Sequence, residues 1–187
     1  MSQKGFRYDM NRCLECRACA VSCKDKNDLP VGVNYIRIRE DEEGKFPNVF
    51  VWFTMQMCRH CSDPACVRVC PSGAMQKDGE TGVVFSDEAV CIGCGQCVRA
   101  CPYDAVQLRE DTKKSAKCNG CLDLQRRGEL PVCIASCTSR CLTYQPVEDL
   151  KKEQGLVREV KGDPSAAITK PNLYFKPKKP KPAAKPA

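Results

Sequence analysis

Apolar and polar positions alternate in this chain only over short distances. Gly5-Phe6-Arg7-Tyr8 reads as a brief strand, and Tyr35-Ile36-Arg37-Ile38-Arg39 alternates with period two. Val49-Phe50-Val51-Trp52-Phe53 is a β-rich run with Trp52 expected in the core, and a turn over Glu42-Glu43-Gly44-Lys45 is expected to join it to the preceding strand. Shorter strands are expected at Val83-Val84-Phe85, Val106-Gln107-Leu108 and Leu142-Thr143-Tyr144. Helix is confined to single turns such as Gln96-Cys97-Val98-Arg99-Ala100, one capped by Asp63-Pro64, and to Pro146–Lys152, ending near Gly155. No run of about eighteen apolar residues occurs, so no segment is expected to cross a membrane.

These fragments do not add up to an ordinary core. Of 187 residues 42% are hydrophobic, but that share includes 17 cysteines. Metal sites would have to replace the missing apolar packing, because binding energy at a structural metal site is folding energy. The metal-free chain is therefore expected to be largely unfolded.

Sixteen of the cysteines fall into four quartets: Cys13-Cys16-Cys19-Cys23, Cys58-Cys61-Cys66-Cys70, Cys91-Cys94-Cys97-Cys101 and Cys118-Cys121-Cys133-Cys137. A disulfide scaffold is disfavoured, since the count is odd and Met1-Ser2-Gln3-Lys4-Gly5 runs into Arg7 and Asp9 without an apolar leader. A zinc-binding interaction module is the competing reading, but zinc favours isolated C-x2-C pairs, often with histidines, and this chain has one histidine. The third quartet followed by Pro102 is the C-x2-C-x2-C-x3-C-P run of bacterial ferredoxins. In that run three cysteines hold one cluster and the fourth reaches its neighbour. Four quartets of soft thiolates therefore point to four [4Fe-4S] clusters with no open iron for substrate chemistry, an electron carrier rather than an enzyme.

The fold class expected is α+β, two ferredoxin-like two-cluster modules with small strands and short helices, plus an extended C-terminal tail. Its segments are 4–34, 49–80, 82–111 and 112–145 for the four motifs and 146–187 for the tail. Cys70-Pro71-Ser72-Gly73-Ala74-Met75 repeats as Cys101-Pro102-Tyr103-Asp104-Ala105-Val106, and Cys137 to Leu142 follows the same frame. Cys141 stands in that frame where Ala74 and Ala105 stand, so it is expected to be a buried free thiol. The irregular fourth quartet, with Thr138 in place of proline, leaves Cys141 as an alternative ligand to Cys137.

His60 is a candidate hydrogen-bond donor to a cluster sulfur or to a partner, with a role-free histidine as the plain alternative. Arg59, Arg68 and Arg99 are candidates to raise cluster potentials by their charge, or are simply solvated. Residues 151–187 hold ten Lys or Arg and three acidic residues, the whole net charge of +7. Lys176 to Pro182 favours an extended polyproline-like chain, expected either solvated or strapped over a larger partner or anionic headgroups, with Leu173-Tyr174-Phe175 as a docking point. No aromatic platform accompanies the charge, so nucleic acid is not an expected partner.

Several stretches carry a family likeness: Cys58-Arg-His-Cys61-Ser-Asp-Pro-Ala-Cys66, Val69-Cys-Pro-Ser-Gly-Ala-Met75, Val90-Cys-Ile-Gly-Cys94, Cys101-Pro-Tyr103, Lys117-Cys-x-Gly-Cys121-x-Asp123 and Thr169-Lys-Pro-Asn172. With these the chain resembles the iron–sulfur subunits of the dimethyl sulfoxide reductase family, including polysulfide and thiosulfate reductases. The resemblance implies an electron-transfer subunit of an anaerobic respiratory reductase, with a large molybdopterin catalytic subunit and a membrane-anchor subunit that oxidises quinol as partners. A formate dehydrogenase or hydrogenase complex is the alternative setting. It also implies ligand sets that cross between quartets: Cys13, Cys16, Cys19 and Cys137; Cys23, Cys118, Cys121 and Cys133; Cys58, Cys61, Cys66 and Cys101; Cys70, Cys91, Cys94 and Cys97. The implied location is peripheral, held at the membrane by partners, on its outer face after co-export with a twin-arginine partner or else on the cytoplasmic face.

Overall fold

The computed structural model describes residues 3–179; Pro180, Lys181 and Pro182, the end of the run expected to be polyproline-like, lie outside them. In chain order the elements begin with β1 (Lys4–Asp9), α1 (Ala18–Lys26), β2 (Ile36–Lys45), β3 (Asn48–Met57), α2 (Ala65–Arg68), β4 (Met75–Lys77) and β5 (Val84–Ser86). There follow α3 (Gln96–Ala100), β6 (Gln107–Leu108), β7 (Ser115–Ala116), α4 (Leu122–Arg126), α5 (Val132–Ala135), β8 (Leu142–Pro146), α6 (Val147–Lys152) and β9 (Leu173–Lys176). Small strands and short helices are thus mixed along the whole chain.

The central sheet has the order β8-β1-β9. β1 pairs antiparallel with β8, Phe6 facing Tyr144, and parallel with β9, Phe6 beside Leu173. Phe6, Tyr8, Leu142, Leu173 and Phe175 are all at most 1% exposed, so this sheet is the middle of the core. The tail expected as an appendage therefore contributes a buried edge strand. Its apolar triplet Leu173-Tyr174-Phe175 is what draws it in.

The long hairpin β2–β3 reverses at Phe46-Pro47, two residues beyond the turn expected around Gly44. Proline has no N–H to give a ladder, so the reversal falls on it. Gly44 pairs with Val49 inside the ladder at φ +92°, where a Cβ would strike the Asn48 carbonyl. Trp52 is buried against Phe50, ring centroids 5.3 Å apart.

Each third cysteine of a quartet sits in a short helix: Cys19 in α1, Cys66 in α2, Cys97 in α3 and Cys133 in α5. α1 packs on α5 and α2 on α3, which brings the first quartet to the fourth and the second to the third. Ser22 and Ser136 hydroxyls lock the first contact at 2.8 Å. Cysteine sulfurs are themselves core atoms: Cys23, Cys118, Cys133, Cys137 and Cys141 pack with Phe6 and Leu142, while Cys66 and Cys97 pack with Met75, Val84 and Val106.

Candidate metal centre

The quartets share a local backbone rule. Two residues after the first cysteine the chain turns left-handed, at Glu15 (φ 55°), Gly93 (φ 70°) and Gly120 (φ 64°), and that residue's N–H donates to the sulfur of Cys13, Cys91 or Cys118. A second left-handed residue then starts the helix, at Arg17 (φ 57°) and Gly95 (φ 70°). Such alternation lines up N–H groups toward an anion. The last cysteines follow a second rule: Cys70, Cys101 and Cys137 each accept N–H bonds from residues further along the loop, among them Ala74, Ala105 and Cys141. The structure therefore puts Cys141 in the same frame as the two alanines, and buries it, as the repeat predicts.

Three cavities are each walled by four of these cysteines. One is lined by Cys58, Cys61, Cys66 and Cys101, and one by Cys70, Cys91, Cys94 and Cys97. A third is lined by Cys13, Cys16, Cys19 and Cys137, with Cys141 as a fifth sulfur. Cys23, Cys118, Cys121 and Cys133 form the fourth group: burial first, and then one another's charge, push the thiols of Cys23 (to about 12), Cys118 and Cys133 up. Four thiols around one common space are a donor set that fits an iron–sulfur cluster. Burial also lifts Cys66 to about 12 and Cys61 to about 11, so thiolates at these positions need a compensating cation such as iron.

The groups form a row. α1 carries Cys19 of one group and Cys23 of the next, and Cys58 lies close enough to Cys118 to raise its pKa. The four inner cysteines around Cys118 are all buried, whereas Cys16 at one end and Cys94 at the other are exposed. Leu14, 70% exposed, flanks the first end, and Ile92, 66% exposed, the second. Thr138, which departs from the proline of the repeat, brings its hydroxyl to 3.4 Å from the Cys16 sulfur.

The predicted neighbours divide. His60 is fully buried, accepts the Val84 N–H on Nδ1 at 3.0 Å and leaves Nε2 without a hydrogen-bond partner. Burial holds its pKa well below the usual value, so it is neutral, and it does not reach the surface to meet a partner. Arg59 lines the Cys58 cavity but is paired with Asp163 at 2.7 Å, both side chains under 5% exposed, and lies 3.9 Å over the Tyr103 ring. Arg68 is half-exposed and pairs with Asp63, which caps nothing through its side chain. Arg99 is exposed.

Two features carry weight that the sequence alone did not reveal. Lys117 is 3% exposed, lines the Cys58 cavity and donates to the carbonyls of Val84 and Cys118, with no acidic partner among the described residues. The 169–172 segment clips the second quartet: Thr169 and Lys170 carbonyls accept from Asp63 and Ser62, and Asn172 Nδ2 donates to the His60 carbonyl at 2.8 Å. Thr169 Oγ1 meets the Tyr103 hydroxyl at 3.0 Å beside Cys61. Both lie in motifs that carry the family likeness, which was the available signal.

Residues 49–147 match the 4Fe-4S dicluster domain model. The B subunit of anaerobic dimethyl sulfoxide reductase from Escherichia coli (strain K12) is 43% identical over 184 residues, covering 94% of this chain and 89% of that protein. The subunit of the same name from Haemophilus influenzae is 39% identical over 188 residues, covering 96% and 91%. The protein NrfC of Escherichia coli (strain K12) is 34% identical over 180 residues, covering 92% and 80%.

Proposed function

This chain belongs to the family of 4Fe-4S dicluster proteins that includes the B subunit of anaerobic dimethyl sulfoxide reductase, and from that premise we propose that it relays electrons through four [4Fe-4S] clusters. The observation that carries the reading is the row of four cysteine groups, buried in the middle and reaching the surface through Cys16 and Cys94. The ligand sets are Cys13, Cys16, Cys19 and Cys137; Cys23, Cys118, Cys121 and Cys133; Cys58, Cys61, Cys66 and Cys101; Cys70, Cys91, Cys94 and Cys97. The two halves of the row act as ferredoxin-like modules.

The clusters supply one-electron storage when bound. The chain supplies the rest. N–H groups of Glu15, Gly93 and Gly120 stabilise thiolate sulfur, and the helices fix the spacing. Burial keeps water off the group around Cys118. No group in the row leaves a place for a substrate, so the chain is an electron-transfer subunit rather than the catalytic one.

Electrons enter at one exposed end from a membrane-anchor subunit that oxidises quinol, and leave at the other to a large molybdopterin catalytic subunit. Among the described residues no helix is long and apolar enough to cross a membrane, so the membrane link runs through the partner. The complex sits on the outer face of the membrane, carried there with its catalytic partner.

The test is metal and sulfide analysis of the chain co-expressed with a molybdopterin catalytic subunit and a membrane-anchor subunit. About sixteen irons and sixteen sulfides per chain are expected, at four of each per cluster, together with co-purification of a molybdopterin protein. Stoichiometric zinc in place of iron would sink the reading.

A further inference from the structure

Five cysteines, not four, wall the cavity at the first end of the row. Cys137 and Cys141 lie four residues apart and both line it, with their sulfurs 3.5 Å from each other. In the two other loops built on this frame the equivalent residues are Ala74 and Ala105, whose methyl groups can ligate nothing. Cys141 is 4% exposed, so its sulfur is aimed into the protein and not into solvent.

The resident ligand is still Cys137. Its sulfur accepts N–H bonds from Cys141 and Leu142, as Cys70 accepts them from Ala74 and Met75. Cys141 has the backbone of a residue that serves its neighbour's sulfur, and the side chain of a ligand. The displacement needed to exchange the two sulfurs is comparable to their separation, and a rotation about the Cys141 side chain covers a distance of that order.

We propose that Cys141 is a reserve ligand of the first cluster site, able to take the place of Cys137 on the same iron. In the exchange the iron–sulfur bond to Cys137 is replaced by one to Cys141, and the thiol proton of Cys141 passes to the departing Cys137 sulfur 3.5 Å away. No electron is transferred. The inference rests on the cluster reading given above.

Four variants of the full chain, expressed with its partners, test it: C137A, C141A, C137A/C141A and C19A, the last removing a ligand of the same site. Iron per chain and the number of cluster signals in electron paramagnetic resonance are measured. C141A is expected to match the native iron content, and C137A to keep it as well, with an altered signal from one cluster. C137A/C141A and C19A are expected to lose one cluster, a quarter of the iron. The proposal is overturned if C137A loses as much iron as the double variant, or if C137A fails to accumulate where C19A does. A native chain without iron would instead overturn the cluster reading itself, which keeps the two failures apart.

Discussion

Lys117 is buried and no carboxylate among the described residues pairs with it, and a buried ammonium is stabilised where other negative charge faces it. Its neighbours are the sulfurs of Cys66 and Cys101 on one side and Cys118 on the other, so it stands between the two inner groups of the row. A unit charge a few ångströms away in a partly buried site is worth on the order of 1–4 kcal/mol. We predict that Lys117→Gln lowers the potentials of the two inner clusters by at least about 60 mV, the one-electron equivalent of about 1.4 kcal/mol, while Lys117→Arg restores most of the loss. Redox titration followed by electron paramagnetic resonance reads this, and equal shifts in all four clusters would contradict it. Single residues were the least legible level of the sequence. Arg59, Arg68 and Arg99 drew attention by charge alone, yet Arg59 is neutralised by Asp163, a partner 104 positions along the chain. Glu15 and Arg17 adopt left-handed backbone without being glycine, so only comparison with Gly93 and Gly95 exposes them.

At the scale of elements, β9 does two jobs with four residues. Leu173 and Phe175 are 0% exposed on the central sheet, and the segment just before the strand clips the loop from Arg59 to Asp63. Truncating a buried Phe typically costs about 3–5 kcal/mol. Phe175→Ala is expected to lower the unfolding midpoint by several degrees and, through the clip, to loosen the Cys58 group first. Iron release followed over time, with the order of cluster loss read spectroscopically, checks it; unfolding with no preferential loss would show that strand and clip act independently. The strands β1, β5, β6 and β8 and the helices α3 and α6 were legible because their periodicity is local. The position of β9 was not, since its pairing with β1 joins residues about 167 positions apart and no local pattern encodes a parallel partner. The hairpin turn was misplaced because Gly44 reads as a turn residue, whereas Pro47 decides the reversal.

For the molecule as a whole, sulfur atoms stand where an ordinary core has methyl groups, in both principal apolar clusters. Removing iron and sulfide leaves buried thiols that resist ionisation, facing spaces that nothing apolar fills. We therefore expect chelation under denaturant-free conditions to abolish near-ultraviolet circular dichroism and to expose the chain to protease. A metal-free chain that keeps its tertiary signal would refute this. The cysteine quartets marked where the four groups of sulfurs lie, and the structure packs α1 on α5 and α2 on α3. In the tail the docking point Leu173-Tyr174-Phe175 was legible, but the strand it pairs with was not. Its place beside β1 bears on the order of events at synthesis. Until Leu173–Lys176 is released, one edge of β1 stays open and the clip over the second quartet cannot close. Pairing of Leu173–Lys176 with β1 thus shuts the fold over the second quartet, like a bolt across a door.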